Sequence, residues 1–121
     1  MYKISIIIPT INEANNLPLL LSDLSINDKE GEIVIVDCGS KDRTIDIAKI
    51  YVAKIYKSKE RNRGLQLDMG ANNSKEEWLI FLHADTRLTQ NWFIRENNFI
   101  AYVFTFYQHK VGERKCSPKY N

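Results

Sequence analysis

The sequence predicts a three-layer α/β fold, in which a mostly parallel sheet carries helices on both faces. Strand-like and helix-like segments alternate in the order β-α-β-α-β-α-β, which calls for parallel strands joined by crossover helices. The strand-like runs are almost continuously apolar, as in strands that are buried on both faces. Three of these runs stop abruptly at polar residues, in segments 9–13, 37–40 and 83–86.

The first half of the chain contains two strand–helix pairs. Residues 3–9 form a β-branched run that Pro9 ends, because proline cannot donate to a strand ladder. Asn12 is the expected N-cap of a helix with Pro18 in its first turn and an apolar face of Ala14, Leu17, Leu20, Leu21 and Leu24. Residues 32–36 form the second strand. Residues 39–42 open a second helix, with an apolar face of Thr44, Ile47, Ala48, Tyr51 and Val52.

The second half continues this alternation. Residues 53–56 form a short strand, and residues 62–73 form a helix with three inward apolar side chains, Leu65, Leu67 and Met69. Residues 78–82 form a fourth buried strand. A short helix at 90–97 and an aromatic, β-branched strand at 99–107 complete the prediction.

Composition indicates one ordinary globular domain. The chain has 121 residues, of which 44% are apolar and 26% charged, and its net charge of +2 is too small to favour nucleic acid as a partner. No apolar run is long enough to span a bilayer, and we find no signal peptide. The two cysteines lack metal-site spacing, and a reduced cytoplasmic location is expected.

His83 and Asp85 form the strongest candidate metal site. Residues two apart in an extended segment lie on the same side, so both side chains can face one cation. A carboxylate suits Mg²⁺ and Mn²⁺, and imidazole suits Mn²⁺ better than Mg²⁺. The alternative is that Asp85 caps the turn after Thr86 and that His83 forms a local hydrogen bond.

The other candidate residues also follow strands or open helices. Asp37 can accept a hydrogen bond from a ribose or base, while Gly39 allows a tight turn; a plain strand-to-helix turn is the alternative. Glu13 either faces a ligand or complements a helix dipole. Arg63, together with Arg61 and Gln66, matches phosphate geometry, or else belongs to a solvated basic face.

Taken together, these segments resemble the family 2 glycosyltransferases of the GT-A fold, which is Rossmann-like. The resemblance rests on residues 5–17, 32–44 and 81–88, in that order, each at a strand end. The segment 63–71, with its basic-Gly-x-Gln pattern, resembles one branch of that family, which also carries His-Ala-Asp at the metal motif. The implied reaction transfers a sugar, with inversion, from a nucleotide-diphospho-sugar to an acceptor hydroxyl.

The resemblance also implies roles for individual residues. Asp37 would face the base or ribose, and Asp85, with His83, would hold a divalent Mn²⁺ or Mg²⁺ at the diphosphate. The nucleotide pocket would be completed by Pro9, Thr10, Glu13, Gly39, Arg63, Gln66 and Ala84. We therefore expect Asp37 and Asp85 to confront the same ligand at one edge of the sheet.

The chain departs from the family pattern in three respects. Cys38 and His83 stand where many relatives have acids, which weakens the claim to a uracil base and lowers the charge of the metal site. The nucleotide-sugar-binding region is expected at 1–95 and a divergent or truncated tail at 96–121, where neither Glu96 nor Glu113 can be placed as the general base. The acceptor stays open, and self-association is expected at an incomplete sheet edge.

Two other function classes remain. One is a noncatalytic nucleotide-binding α/β module that needs a partner chain for its missing half. The other is a flavodoxin- or receiver-like domain without sugar chemistry, which the Gly39-Ser40 turn and the His83-Ala84-Asp85 segment do not favour.

Overall fold

The computed structural model describes residues 4–26, 31–76, 78–88 and 106–108. Its strands are β1 (Ile4–Thr10), β2 (Gly31–Asp37), β3 (Lys54–Lys57), β4 (Trp78–Phe81) and β5 (Phe106–Gln108). Its helices are α1 (Leu17–Ile26), α2 (Thr44–Ile50) and α3 (Arg63–Asn72). None of the helices in the described ranges is long and apolar enough to cross a membrane.

The strands form one sheet in the order β3-β2-β1-β4-β5. β1 lies at the centre and pairs in parallel with β2 and β4, while β3 extends the parallel sheet beyond β2. β5 pairs with β4 in the antiparallel direction. The predicted mostly parallel sheet is therefore confirmed.

Helices cover both faces of the sheet. On one face, α1 and α2 pack on the strands through a cluster whose buried members include Leu17, Leu20, Leu21, Leu24, Ala48, Ile6, Ile8, Ile35 and Ile80. On the other face, α3 packs through Leu67 against Ile7, Val34, Val36 and Leu79. Successive strand residues thus enter opposite cores, which explains the continuous apolar runs in the sequence.

The element boundaries differ from the predictions mainly at the helix starts. α1 begins at Leu17, five residues after Asn12, and Pro18 does lie in its first turn. α2 begins at Thr44, with Arg43 at the N-cap position making no side-chain capping bond. The loops that precede α1 and α2 bond to each other through their polar groups, and both helices begin only after these contacts.

Two residues predicted to face the core are exposed. Val52 is 89% exposed, because it follows the end of α2 and adopts φ of 59°, where the chain turns toward β3. Leu65 is 47% exposed, because α3 turns Gln66, Leu67 and Gly70 to the sheet instead. The predicted helix at 90–97 and most of the predicted strand at 99–107 lie outside the described residues, apart from Phe106 and Tyr107 in β5.

Candidate functional site

The carboxyl ends of β1, β2 and β4 lie at one edge of the sheet, because these neighbouring strands are parallel. Asp37 ends β2 beside Thr10 of β1, and the loop with His83 and Asp85 follows β4 on the other side of β1. Two strand spacings amount to roughly 10 Å. The fold therefore brings the three polar strand ends of the sequence to one edge.

Asp37 lies beneath this edge, with only 1% of its surface exposed. Its Oδ1 accepts hydrogen bonds from the hydroxyls of Thr10 (2.8 Å) and Ser40, and its Oδ2 accepts from the N–H groups of Gly39 (2.9 Å) and Ser40 (2.8 Å). Burial by itself raises the pKa of the Asp37 carboxyl, but these hydrogen bonds, led by those of Ser40, outweigh it and lower the pKa. Asp37 is thus an ionised anchor for the turn after β2.

Gln66 ties α3 to the same edge from below. Its side chain is 4% exposed, and its Nε2 donates to the carbonyl oxygens of Val36 (2.8 Å) and Thr10 (3.3 Å). Three residues expected to contact a ligand, Thr10, Asp37 and Gln66, therefore use side-chain polar atoms inside the protein. They form the floor of the edge, and their direct contact with a ligand stays a prediction.

The loop between β1 and α1 is held by the loop between β2 and α2. The N–H of Asn12 donates to Ser40 Oγ at 2.8 Å, and Asn12 Oδ1 accepts from the N–H of Lys41 at 2.8 Å. Asn12 adopts φ of 53°, a left-handed conformation that asparagine tolerates better than most residues. Asn12 is therefore a bridge between the two loops, and its assignment as the N-cap of α1 is wrong.

Glu13 and Ala14 extend the contact between the loops. Their N–H groups donate to Thr44 Oγ1 (2.9 Å) and Asp42 Oδ2 (3.1 Å), respectively. Asp42 also accepts from the hydroxyl and the N–H of Thr44, and the hydroxyl is the main reason why the pKa of Asp42 is lowered. The sequence analysis did not assign Asp42, although its Asp-x-Thr spacing is typical of a capped turn.

The half-buried carboxylate of Glu13 lies at the start of α1. It accepts a hydrogen bond from Asn16 Nδ2 at 3.3 Å, and the Glu13 carbonyl accepts from the N–H of Leu17 at 2.8 Å. The backbone carbonyl of Glu13 thus accepts the N–H of the first residue of α1. The Glu13 carboxylate has a single weak partner among the described residues, whereas the Asp37 carboxylate accepts four hydrogen bonds. Of these two predicted site residues, Glu13 is therefore the more available for contact with a ligand.

A cavity of about 360 Å³ opens at this edge, between β1, β4 and the first turn of α3. Arg63 stands at one wall and His83 at another, and both side chains are exposed. The remaining lining residues are Pro9, Gly64, Leu67, Phe81 and Leu82. Of the residues proposed from sequence for the nucleotide pocket, Pro9 and Arg63 line this cavity directly.

His83 and Asp85 lie on the solvent side of the loop after β4. Leu82 still bonds to β1 through its N–H and Ile7 O (3.0 Å), and a turn follows in which the N–H of Thr86 donates to His83 O at 3.0 Å. Ala84 is 4% exposed, whereas the flanking His83 and Asp85 are both exposed. No group of three or more His, Cys, Asp or Glu residues within the described ranges is arranged to hold a metal.

Sequence comparisons relate the chain to glycosyltransferases. The profile of the family described as Glycosyl transferase family 2 matches residues 5–120. The chain is 37% identical over 93 residues to the 4,4'-diaponeurosporenoate glycosyltransferase of Staphylococcus haemolyticus, covering 71% of this chain and 25% of that protein. It is 35% identical over 91 residues to a PGL/p-HBAD biosynthesis glycosyltransferase of Mycobacterium bovis, covering 69% and 36%. The chain thus spans 25% to 36% of these two relatives.

Structural comparisons relate the fold to the same class of enzymes. The crystal structure of S. aureus TarS 1–349 superposes with a TM-score of 0.73 and 25% identity, covering 82% of this chain and 32% of that chain. The glucosyl-3-phosphoglycerate synthase of Mycobacterium tuberculosis, in complex with Mn²⁺, UDP and glucosyl-3-phosphoglycerate, shares the fold with a TM-score of 0.63 at 17% identity, covering 71% and 36%. The expected GT-A, Rossmann-like fold is confirmed. Because the family profile spans nearly the whole sequence, the chain belongs to glycosyl transferase family 2.

Proposed function

We propose that this chain binds the nucleotide-diphospho-sugar donor of a glycosyltransferase that transfers the sugar, with inversion, to an acceptor hydroxyl. The observation that carries the proposal is the cavity at the carboxyl edge of the sheet, with Arg63 on one wall and His83 on another. A guanidinium matches the geometry of phosphate oxygens, and oxygen or nitrogen ligands nearby suit a phosphate-bound cation. Membership of family 2 supports the assignment of a sugar nucleotide.

The cavity provides different chemistry on its different walls. Pro9, Leu67 and Phe81 offer apolar surface. Asn62 Oδ1 caps the N–H of Leu65, so the N–H groups of Arg63 and Gly64 are the ones that the start of α3 presents to a diphosphate. Gly39 adopts φ of 105° and has open space where a side chain would begin, so a ligand can approach the backbone there. Within this proposal the nucleotide lies along the edge from the Gly39 turn to the α3 wall.

Other residues of the proposed site act from the loops and the floor. Glu13 lies on the first loop, and Ala84, which is 4% exposed, lies between His83 and Asp85 in the loop after β4. Thr10, Asp37 and Gln66 hold the strand ends and the Gly39 turn in place, through the buried hydrogen bonds described above. Because these buried hydrogen bonds lie within the chain itself, they hold the floor of the site in place and reduce the ordering that a ligand requires on binding.

The residues present fit a divalent cation bound together with a diphosphate. The loop after β4 offers one imidazole, His83, and one carboxylate, Asp85, both exposed to solvent on either side of the buried Ala84. Mg²⁺ and similar ions commonly take one or two protein ligands and complete their coordination with phosphate oxygens and water. Two M. tuberculosis synthase structures with UDP also contain Mn²⁺ or Mg²⁺, which supports the same class of ion for this chain.

The chain's own groups act mainly on the leaving nucleoside diphosphate. When bound, a divalent cation supplies charge neutralisation at that group. Arg63 and the first N–H groups of α3 stabilise the same developing charge from the other wall, and the packing of α3 on the sheet fixes the position of those N–H groups. The general base is not among the residues that we assign, since Glu96 and Glu113 lie outside the described residues.

A noncatalytic nucleotide-binding module that works with a partner chain is the second candidate. It is favoured by the fact that the chain spans only 25% to 36% of the relatives compared above. Both candidates predict nucleotide binding, but only the enzyme predicts turnover. We propose a cytoplasmic location for either one. Release of UDP from UDP-glucose or UDP-galactose by the purified chain would favour the enzyme, and binding without release would favour the module.

Ligand-dependent thermal unfolding tests the shared prediction. UDP or GDP at millimolar concentration with Mn²⁺ is expected to raise the melting temperature, because a ligand that binds only the native state stabilises it, by about 2.7 kcal/mol at 100 times Kd. Asp85→Ala is expected to remove the part of the shift that depends on Mn²⁺. Differential scanning fluorimetry of the wild type and this variant measures both effects.

Asp46→Ala serves as the matched control, since Asp46 is an exposed carboxylate in the first turn of α2. This variant should keep the full Mn²⁺-dependent shift. A wild-type protein whose melting temperature responds to neither nucleotide, with or without Mn²⁺, would refute both candidate functions. An Asp85→Ala variant with an unchanged Mn²⁺ response would refute the assigned ligand.

A further inference from the structure

The loop that carries His83 and Asp85 is fastened to α1 by a single carboxylate. Asp23 Oδ2 accepts from Arg87 Nε at 2.8 Å and Asp23 Oδ1 accepts from Arg87 Nη2 at 3.1 Å, so the guanidinium is held by both carboxylate oxygens. Asp23 Oδ2 also accepts from the N–H of Leu88 at 2.9 Å. The Asp23 side chain is 12% exposed and that of Arg87 is 59% exposed. In this ion pair, Asp23 on α1 is shielded from solvent, whereas Arg87 on the loop faces solvent.

These bonds set the two ends of a short loop. At its start, Leu82 is bonded to β1. At its end, Arg87 and Leu88 are bonded to Asp23, and Leu88 also packs against the core beneath α1. Between these ends, the side chains of His83 and Asp85 have no partner among the described residues, so their positions depend on the loop backbone alone.

We propose that Asp23 is a positioning residue for the cation and diphosphate, acting through Arg87 and Leu88 to hold the loop that presents His83 and Asp85. This inference rests on the proposed function. Residues that orient metal ligands from outside the coordination sphere commonly change metal affinity by about 10- to 100-fold when they are replaced. Asp23 performs this task from a helix that does not line the cavity.

The chain contains a matched ion pair at the opposite edge of the sheet. Glu32 Oε1 forms an ion pair with Lys54 Nζ at 2.8 Å, and Glu32 Oε2 accepts from the N–H of Lys75 at 2.6 Å and from the hydroxyl of Ser5 at 2.6 Å. Like Asp23, it combines one long cationic side chain with a backbone N–H. It lies near the amino ends of β1 and β2, away from the cavity, so its loss should affect folding stability without affecting the loop after β4.

The test compares Arg87→Met with Lys54→Met in the full chain. Mn²⁺ binding in the presence of UDP is measured from the EPR signal of free Mn²⁺, UDP binding without metal by calorimetry, and stability by urea unfolding. We expect Arg87→Met to weaken Mn²⁺ binding about tenfold and to leave metal-free UDP binding within about twofold. Lys54→Met should lower the unfolding midpoint comparably and leave Mn²⁺ binding unchanged. Arg87→Lys should recover part of the lost affinity.

Asp23→Asn provides a second measurement that perturbs the fold less, because the amide oxygen can still accept from Leu88 while the charge that holds Arg87 is removed. It should weaken Mn²⁺ binding in the same direction as Arg87→Met. Equal weakening by Lys54→Met, or wild-type Mn²⁺ affinity in both Arg87→Met and Asp23→Asn, would overturn the inference. If the wild type bound UDP neither with nor without Mn²⁺, the proposed function itself would fail. Failure of this inference alone requires a wild type that binds and an Asp85→Ala variant that does not.

Discussion

Asp37 carries a negative charge in the interior of the protein, and each of its hydrogen-bond donors comes from the chain itself. Two of these donors are hydroxyls, Thr10 and Ser40, and the other two are the N–H groups of Gly39 and Ser40. Hydroxyls can rotate and accept instead, whereas backbone N–H groups cannot. The two carboxylate oxygens are therefore unequal, since Oδ2 serves only the two N–H groups and Oδ1 only the two hydroxyls.

This difference predicts unequal effects for two substitutions of Asp37. Asp37→Ala leaves all four donors without their acceptor and should destabilise the protein by about 3 kcal/mol. Asp37→Asn can direct its oxygen to the two N–H groups and its NH₂ to the hydroxyls, and should cost only about 1 kcal/mol. Urea unfolding of both variants measures the difference. Equal losses would show that the charge, and not the acceptor geometry, holds the turn.

The sequence analysis identified Asp37 but not the direction of its side chain. A polar residue after an apolar run indicates a strand end, and both a ligand contact and a turn anchor produce that pattern. Thr10 decides between them, because its hydroxyl reaches the carboxylate only once β1 and β2 pair, whereas the contact with Ser40 is local. Thr10 lies 27 residues away along the chain from its partner Asp37.

At the scale of elements, α3 determines the shape of the cavity. It lies very close to the sheet at Gly70, where an added Cβ would stand 2.4 Å from Ile7 Cγ2 and 3.1 Å from Val36 Cγ2. Both neighbours are fully buried, β-branched side chains with little freedom to move. At the other end of the helix, Gly64 lines the cavity, and a Cβ there would meet only the exposed Asn62 side chain, at 3.3 Å.

The two glycines of α3 should therefore respond differently to alanine. Gly70→Ala is expected to destabilise the protein by about 2 kcal/mol, because it overpacks the core between α3 and the sheet. Gly64→Ala should stay within about 0.5 kcal/mol of the wild type, since the helix propensity of alanine offsets a small shift of Asn62. Thermal and urea unfolding measure both. A neutral Gly70→Ala would contradict the close approach of the helix.

The loops were less predictable than the strands and helices that they join. The existence and type of the elements followed from apolar runs and periodicity, but the start of α1 did not. Asn12 has the residue type of an N-cap, yet the N–H of Lys41 and the hydroxyl of Ser40 offer it partners in the adjacent loop. Local sequence cannot weigh a local cap against a partner about 30 residues away.

Across the whole molecule, carboxylates join elements that are distant in sequence. Asp23 links α1 to the loop after β4, Asp37 links β1 to the turn after β2, and Glu32 links β2 to β3 and to the segment before β4. The pKa of Asp23 is lowered mainly by its hydrogen bond from Arg87. For Glu32, burial raises the pKa, but the hydrogen bonds from Lys54, Lys75 and Ser5 outweigh it and lower the pKa.

These lowered pKa values predict the direction of the acid response. A carboxyl whose pKa is lower in the folded protein binds its proton only at a lower pH than it does in the unfolded chain. Its contribution to the free energy of unfolding is therefore fully present above the pKa of the unfolded chain, about 4. That contribution is lost as the pH falls through the pKa of the folded protein. The urea midpoint should therefore be stable near pH 7 and decline from about pH 4.5 downward. The double variant Asp23→Asn/Glu32→Gln should start lower at pH 7 and show a shallower decline. A decline as steep as that of the wild type would contradict the assignment.

The sequence by itself determined the class of fold, the approximate elements, the family and the edge of the sheet at which chemistry is expected. These properties depend on local periodicity, on strand direction and on short motifs, all of which can be recognised along the chain. The tertiary structure decided which polar side chains face the cavity and which are used inside the protein. It turned Asp37 and Gln66 inward, left His83 and Asp85 exposed, and revealed Asp23 as the support of their loop. The physical reason is that a hydrogen-bonding group takes the partner that folding brings within reach, and that partner can be dozens of residues away in sequence.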